Sequence, residues 1–474
     1  MRRHRELGRV NGAIRRVGSR FPAAGIALLT AIAAMNLCGC PSGTLLHDCT
    51  VSLDPGAADW VVVVYMCADN ELEAQAIEDL NEMEAVDLAG TGVTVLALLD
   101  RGPGHDASNG DWTGTRLYEV TPDPEGLDAV IRSRELALPE LGLDPGGPET
   151  ELNMADPRTL SALLDFAVAR YAPSRLGLVV WGHGSGFRAD GHSAAPPRPP
   201  ERAVRPPASY RATCFDDSSE GDALYTAELA EALRGRAVDL VGLDTCFGAT
   251  VEIAYELRNV ADIMVASQDL VPADGWEYDD VLERLAGSDG EPRSCARAIV
   301  DAYAAAHADV SSATISALDL GRADSVVAAF NAFADEVHVA AADPAIRDAV
   351  RDTVFYDVED FYATPGDLAI DLGDLAAVVA GEHGIAAAAA AALESAVREA
   401  VFASWGGGAS PRASGLSVHL IPLGADGTAA AAHDPAYVNG ADVAHPLAFV
   451  SASTWPPVLP DGPGLLHRLF YEIL

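Results

Sequence analysis

Trp60-Val61-Val62-Val63-Val64-Tyr65-Met66 is an unbroken apolar run dominated by β-branched residues, with no polar position to mark a solvent face. A strand with one wet side alternates. A strand covered on both sides does not, and such strands belong to parallel sheets sandwiched between helices. Runs of the same kind recur at 93–99, 176–181, 238–243, 263–266 and 313–318. The segments between them carry helical spacing: 71–87 is rich in Leu, Ala and Glu, 156–171 opens on Asp-Pro, and 226–234 and 250–258 follow the same pattern. Strand and helix in alternation predict an α/β fold with a largely parallel sheet flanked by helices. In such sheets the sites form beyond the carboxyl ends of the strands. After about residue 320 the chain turns Ala-rich and mostly helical (323–341, 344–354, 371–380, 386–402). Gly406-Gly407-Gly408 and a strand candidate at 415–421 follow, completing the fold.

The first 39 residues read as a leader. Seven Arg between positions 2 and 20 precede an uncharged apolar run over 21–37, and Leu37-Cys38-Gly39-Cys40 follows. A basic start, an apolar stretch and small residues before a cut are the marks of a secretory signal. The Leu-x-Gly-Cys ending resembles a bacterial lipobox, which implies lipid on Cys40 and an extracytoplasmic, membrane-anchored location. Residues 40–58 then serve as a tether. The formal charge of the whole chain is −39, carried by 31 Arg and no Lys against 70 Asp and Glu. Without the leader's seven Arg and one Glu the remainder stands at −45. Such a surface repels phosphate backbones, so nucleic acid is excluded as a partner, and cationic ligands are drawn in.

Two of the buried runs end in reactive side chains: 176–181 leads into Gly182-His183-Gly184, and 238–243 into Asp244-Thr245-Cys246. Neighbouring parallel strands would bring His183 and Cys246 together across 63 positions of sequence. A thiol needs a nearby imidazole to act as a nucleophile at neutral pH, and glycines beside it let backbone N–H groups approach an oxyanion. Between these segments, 188–213 holds six Pro and five Arg, a composition that demands an exposed loop.

With Tyr65-Met66-Cys67-Ala68-Asp69-Asn70, Asp274-Gly275-Trp276 and Gly415-Leu416-Ser417 added, the chain resembles the clostripain family of cysteine peptidases, relatives of caspases and gingipains, over most of 59–460. The resemblance implies a caspase-like peptidase domain over 59–320, with 321–474 completing the fold, and endopeptidase cleavage after basic residues, Arg preferred. It implies His183 as general base, Cys246 as nucleophile and the backbone N–H groups of Gly184 and Cys246 as oxyanion hole. Asp244 and Asp274 would line the pocket for the basic side chain. Protein or peptide substrates are then the partners. The enzyme's own Pro-rich loop offers Arg188, Arg202 and Arg211 as self-cleavage candidates, because Arg198 and Arg205 are followed by Pro. The sequence departs from the family pattern in Thr245 and Phe247 around the nucleophile and in the length of that loop.

Cys67, Cys214 and Cys295 read as core or surface thiols, and Cys49 has no assignable partner. The remaining histidines lack metal-ligand spacing, so no metal site and no cofactor is assigned. Calcium is compatible with the acidic stretches 357–360 and 367–374, but their spacing is not that of an EF-hand. Two functional readings stay open at this point: an active lipid-anchored endopeptidase, and a caspase-like lipoprotein that has lost activity and serves as a binding module.

Overall fold

The computed structural model describes residues 58–184, 212–361, 368–420, 447–456, 458–459 and 462–470. Its centre is a nine-stranded sheet. Five parallel strands occupy the middle: β2 (Val93–Arg101), β1 (Trp60–Ala68), β5 (Arg175–Trp181), β8 (Val238–Asp244) and β9 (Ala261–Ala266), in that spatial order. Antiparallel strands close both edges. β3 (Gly114–Glu119) and β4 (Arg134–Leu136) lie beside β2; β10 (Thr314–Asp319) and β13 (Val401–Gly406) lie beside β9. A short hairpin of β6 (Ala212–Asp216) and β7 (Asp222–Tyr225) stands apart, as does a three-stranded sheet of β11 (Asp360–Phe361), β12 (Leu368–Asp371) and β14 (Ser417–Leu420).

The unbroken valine run of β1 is explained by burial on both faces. Val61, Val63 and Tyr65 enter one core with helices α2 (Pro157–Tyr171), α3 (Thr226–Leu233), α4 (Val251–Leu257) and α7 (Ala323–Ala340). Trp60, Val62, Val64 and Met66 enter the other with α1 (Glu73–Glu84), α5 (Tyr278–Ala286) and α6 (Pro292–Ala306). Alternate residues thus go to opposite helical layers, both dry. Helix starts follow local chemistry. Asp156 caps α2 by accepting from the Arg158 N–H with Pro157 in the first turn, and Thr250 caps α4 through the Ile253 N–H. Gly242, in the middle of β8, makes room for Trp276: a Cβ there would lie 2.6 Å from the indole ring.

The helix expected over 386–402 is shorter. The helix there spans Ala387–Ala400, ends two residues early, and the chain passes straight into β13, which pairs with β10. Its residues are only partly buried, and Phe402 and Trp405 are set among Ala, Ser and Gly, so no long apolar run betrays it. β3, β6 and β7 were also hidden, being short and without a continuous apolar stretch. Among the described residues, no helix is long and apolar enough to cross a membrane. The leader, Cys40 and all of the tether but its last residue lie outside the described residues, as do Arg188, Arg202 and Arg211.

Candidate active site

β5 and β8 are hydrogen-bonded neighbours, with Trp181 opposite Asp244. His183 and Cys246 each lie two residues past that pair, so the topology sets them on adjacent loops at the carboxyl edge of the sheet. The loops are in close contact. The Gly182 N–H donates to the Asp244 carbonyl at 3.3 Å. A Cβ on Gly184 would lie 2.6 Å from Thr245 Cβ and 2.8 Å from the Cys246 carbonyl oxygen. Only glycine permits that approach. Gly182 takes φ +133° against the Cys67 carbonyl, a second position where a side chain has no room.

His183 is 26% exposed, and its Nε2 lies 3.3 Å from Glu71 Oε1. Cys246 is half-buried, and its Sγ accepts the Val271 N–H at 3.3 Å. Burial pushes the thiol up to about 11, against the lowering effect of that hydrogen bond, and the charges of Asp244 and Asp269 add to the rise. In this arrangement Cys246 is a protonated thiol. Phe247 holds φ +58°, a left-handed conformation that a bulky side chain enters only under constraint. The constraint is visible: its N–H donates to the Asp269 carbonyl, and the Ala249 N–H donates to Ser267. The Ser417 N–H in turn donates to Ala249. Gln268 ties the same region to the late strand, donating to Ser417 Oγ and Asp371 Oδ2 and accepting from the Gly415 N–H.

Asp244 is buried. Its Oδ2 accepts the Tyr278 hydroxyl at 3.0 Å and the Trp276 N–H at 3.2 Å, while Oδ1 has no hydrogen-bond partner. Burial raises it to about 7. Asp79 lies in the same pocket: its Oδ2 accepts the Trp181 indole N–H at 2.5 Å, and burial together with the Asp244 charge drives it well above the carboxylate range. Gly275, at φ +61°, closes over both, with a notional Cβ 3.0 Å from Asp244 Oδ2 and 3.4 Å from Asp79 Oδ2. Asp274, one residue before, is exposed. The buried His307 fixes this loop by pairing its Nε2 with the Gly275 carbonyl at 2.8 Å.

The structure therefore gathers His183, Gly184, Asp244 and Cys246 along one sheet edge, with Asp274 on the loop above Asp244. Glu71, Asp79, Gln268 and His307 were not singled out from sequence, and nothing in their local pattern marks them. The cysteine reading needs correction: Cys67 and Cys214 are not free thiols but a disulfide, with Cα atoms 5.2 Å apart. Cys67 lies one residue before the end of β1 and Cys214 sits in β6, brought together because β6 folds back over the His183 loop. The Cys214 N–H donates to the His183 carbonyl at 3.1 Å, and Thr213 bridges Gly184. Cys295 is a buried free thiol. The acidic stretch near 357–374 is partly engaged by Arg412, which reaches Glu359 and Asp374.

The sequence profile of the clostripain family matches residues 64–455. Clostripain from Hathewaya histolytica is 29% identical over 246 residues, which are 48% of this chain and 43% of clostripain; the match thus spans under half of that relative's length. Among solved structures, an inactive zymogen C11 protease from Parabacteroides distasonis superposes with a TM-score of 0.55 at 19% identity, over 78% of this chain and 93% of that one. A secreted C11 cysteine protease from Bacteroides thetaiotaomicron, in complex with an irreversible peptide inhibitor, gives 0.54 at 18% identity, over 78% and 94%. The two structures share the fold. The profile match runs from β1 past the His183 and Cys246 loops to the last part of the chain, and the chain belongs to the clostripain family of cysteine peptidases.

Proposed function

We propose that this protein is a lipid-anchored, extracytoplasmic cysteine endopeptidase that cleaves after Arg through His183 and Cys246. The observation that carries the reading is the contact of the two loops at Gly184, which sets the imidazole-bearing and thiol-bearing residues side by side at the end of β5 and β8. His183 removes the Sγ proton as sulfur attacks the scissile carbonyl carbon. The backbone N–H groups of Gly184 and Cys246 receive the oxyanion. His183 then returns the proton to the leaving amine, and water hydrolyses the thioester with the same residue as base. The thiol's raised value fits a nucleophile deprotonated only when substrate is in place.

The basic side chain enters toward Asp244, whose Oδ1 is buried without a partner and whose ionisation a guanidinium would favour. Exposed Asp274 supplies the second carboxylate. Arg is preferred to Lys because its planar fork makes two parallel hydrogen bonds. Self-cleavage in the 188–213 loop, with Arg202 first and Arg188 and Arg211 as the other sites, would leave two associated chains, since β5 and β8 lie on opposite sides of the cut and pair with each other. Cys40 carries the lipid, and peptides or proteins with accessible Arg are the substrates.

A thiol-directed peptidyl probe ending in Arg tests the chemistry. The wild type should be labelled once, at Cys246, and Cys246→Ala should be inert and remain a single band on a denaturing gel. Failure of the folded wild type to react with probe or peptide would favour the binding-module reading instead. Fatty-acid labelling that persists in Cys40→Ser would refute the anchor.

A further inference from the structure

His183 becomes cationic each time it holds the proton of Cys246, and only one of its ring nitrogens can take that proton. Nε2 is turned away from solvent and lies 3.3 Å from Glu71 Oε1. A carboxylate only accepts, so in the neutral ring Nε2 carries the hydrogen and Nδ1 the lone pair. The nitrogen that takes the thiol proton is therefore Nδ1, with the Glu71 carboxylate at the opposite nitrogen.

Glu71 stands in the turn between β1 and α1, and that turn is fastened at several points. Buried Asn70 donates from Nδ2 to the Cys67 carbonyl at 2.9 Å and to the Phe215 carbonyl at 3.3 Å, and its Oδ1 accepts the Leu72 N–H at 3.0 Å. The Asp69 carbonyl accepts the Asp217 N–H at 3.2 Å, and Asp69 Oδ2 accepts the Ser218 N–H at 2.6 Å. Phe215 lies in β6, the strand whose Cys214 N–H holds the His183 carbonyl. One strand thus locates both members of the pair. Glu73, two residues on, is buried and paired with Arg101, whereas Glu71 is half-exposed and reaches the imidazole. The elements packed around the His183 loop also carry Asp69, Asp216 and Asp217 from the β1 and β6 ends, Asp244 and Cys246 from the end of β8, and Asp269 beside the Cys246 loop. Glu71 lies within ion-pair distance of the ring.

We propose that Glu71 is the positioning residue of His183: it fixes the ring with Nδ1 as the base and stabilises the imidazolium formed as sulfur attacks. The inference rests on the reading of His183 and Cys246 as base and nucleophile. Burial keeps the resting thiol protonated, so the imidazolium is absent from the resting site and arises only during the reaction. An interaction that strengthens only then acts on kcat rather than on substrate binding.

Steady-state hydrolysis of an Arg-ending fluorogenic peptide across pH tests this, with Cys246→Ala as the blank and a thermal melt of each preparation. Glu71→Gln keeps the size of the side chain and removes its charge. Its kcat should fall about five- to tenfold with KM near the wild-type value. That is less than the roughly 10²–10⁴ of a lost base, because a half-exposed charge is screened. The acid limb of its kcat/KM profile should move to lower pH, since a neighbouring carboxylate favours the protonated ring and Gln does not. Glu71→Asp, which keeps the charge on a shorter stem, should fall between the two. Raising salt from about 0.1 to about 1 M should narrow the gap between wild type and Glu71→Gln. The melts should coincide. If the wild type hydrolyses the peptide, Cys246→Ala does not, and Glu71→Gln matches the wild type in kcat and acid limb, the role of Glu71 alone is overturned. A lower kcat with no movement of the limb overturns it as well, because a residue that merely packs would do the same. A wild type that leaves the peptide intact overturns the peptidase reading and this inference together.

Discussion

Gly184→Ala isolates the feature on which the proposed chemistry rests. The added Cβ would stand 2.6 Å from Thr245 Cβ and 2.8 Å from the Cys246 carbonyl oxygen. Neither neighbour is the free end of a flexible side chain, so one loop must retreat by roughly 0.6–0.8 Å to regain an ordinary contact. Overpacking of this kind typically costs about 1–3 kcal/mol. Spread over a large, cooperatively folded chain, that is a fall of a few degrees at most in the melting temperature. Catalysis is far more sensitive, because displacing reacting groups by about 1 Å can cost on the order of 10²-fold. We expect kcat/KM for an Arg-ending fluorogenic peptide to drop by about 10²-fold, mostly in kcat, with the melt nearly unchanged. The assay is steady-state hydrolysis beside a thermal melt of the same preparation. A variant that melts like the wild type and retains full kcat/KM would show that the His183 and Cys246 loops do not work at this spacing.

Other perturbations reach different parts of the same edge. Asp244 titrates near 7 when folded, above its unfolded value of about 3.9, so its contribution to stability is full below about pH 4 and is lost as the pH rises toward 7. The melting temperature of Asp244→Asn should therefore gain on that of the wild type between pH 4.5 and 7.5, and parallel curves would contradict the burial argument. Replacing both Cys67 and Cys214 by Ala releases a span of 147 residues and should cost about 2–5 kcal/mol, read as a lower melting temperature with reduced hydrolysis; an unchanged melt would show that the bridge does not form. Asp274→Ala should lower the Arg-to-Lys selectivity of peptide cleavage while leaving the melt alone, since its side chain is exposed; an unchanged ratio would remove it from the pocket.

The unbroken apolar runs were enough to read out the sandwiched parallel core, because burial on both faces leaves its mark in every residue of a strand. The same runs made His183 and Cys246 conspicuous, each just beyond a strand end. What sequence could not convey was adjacency between distant pieces. Glu71 opens a helical pattern and looks like any solvated residue near a helix start, yet it lies beside the His183 ring. His307 was one scattered histidine until the fold set it under Gly275. Cys67 and Cys214 could not be paired without knowing that β6 doubles back across β1. β13 was missed for a local reason: it follows an Ala-rich helix without a break, and its half-exposed residues form no long apolar run.

The clamp on the Cys246 loop by Gly415 and Ser417 has a consequence in time. Gln268 reaches across 147 positions to Gly415 and 149 to Ser417, and Ser417 closes directly on Ala249. A chain made from its amino terminus has its thiol and its imidazole long before it has the strand that holds the thiol's loop in shape. Contacts of such sequence separation form late, after the entropy of closing a long loop has been met. Until residue 417 has emerged and docked, the Ala249 carbonyl and the Gln268 side chain lack the partners that tie the thiol's loop to the late strand. The order of synthesis thus leaves the Cys246 loop without its last clamp until the chain is nearly whole.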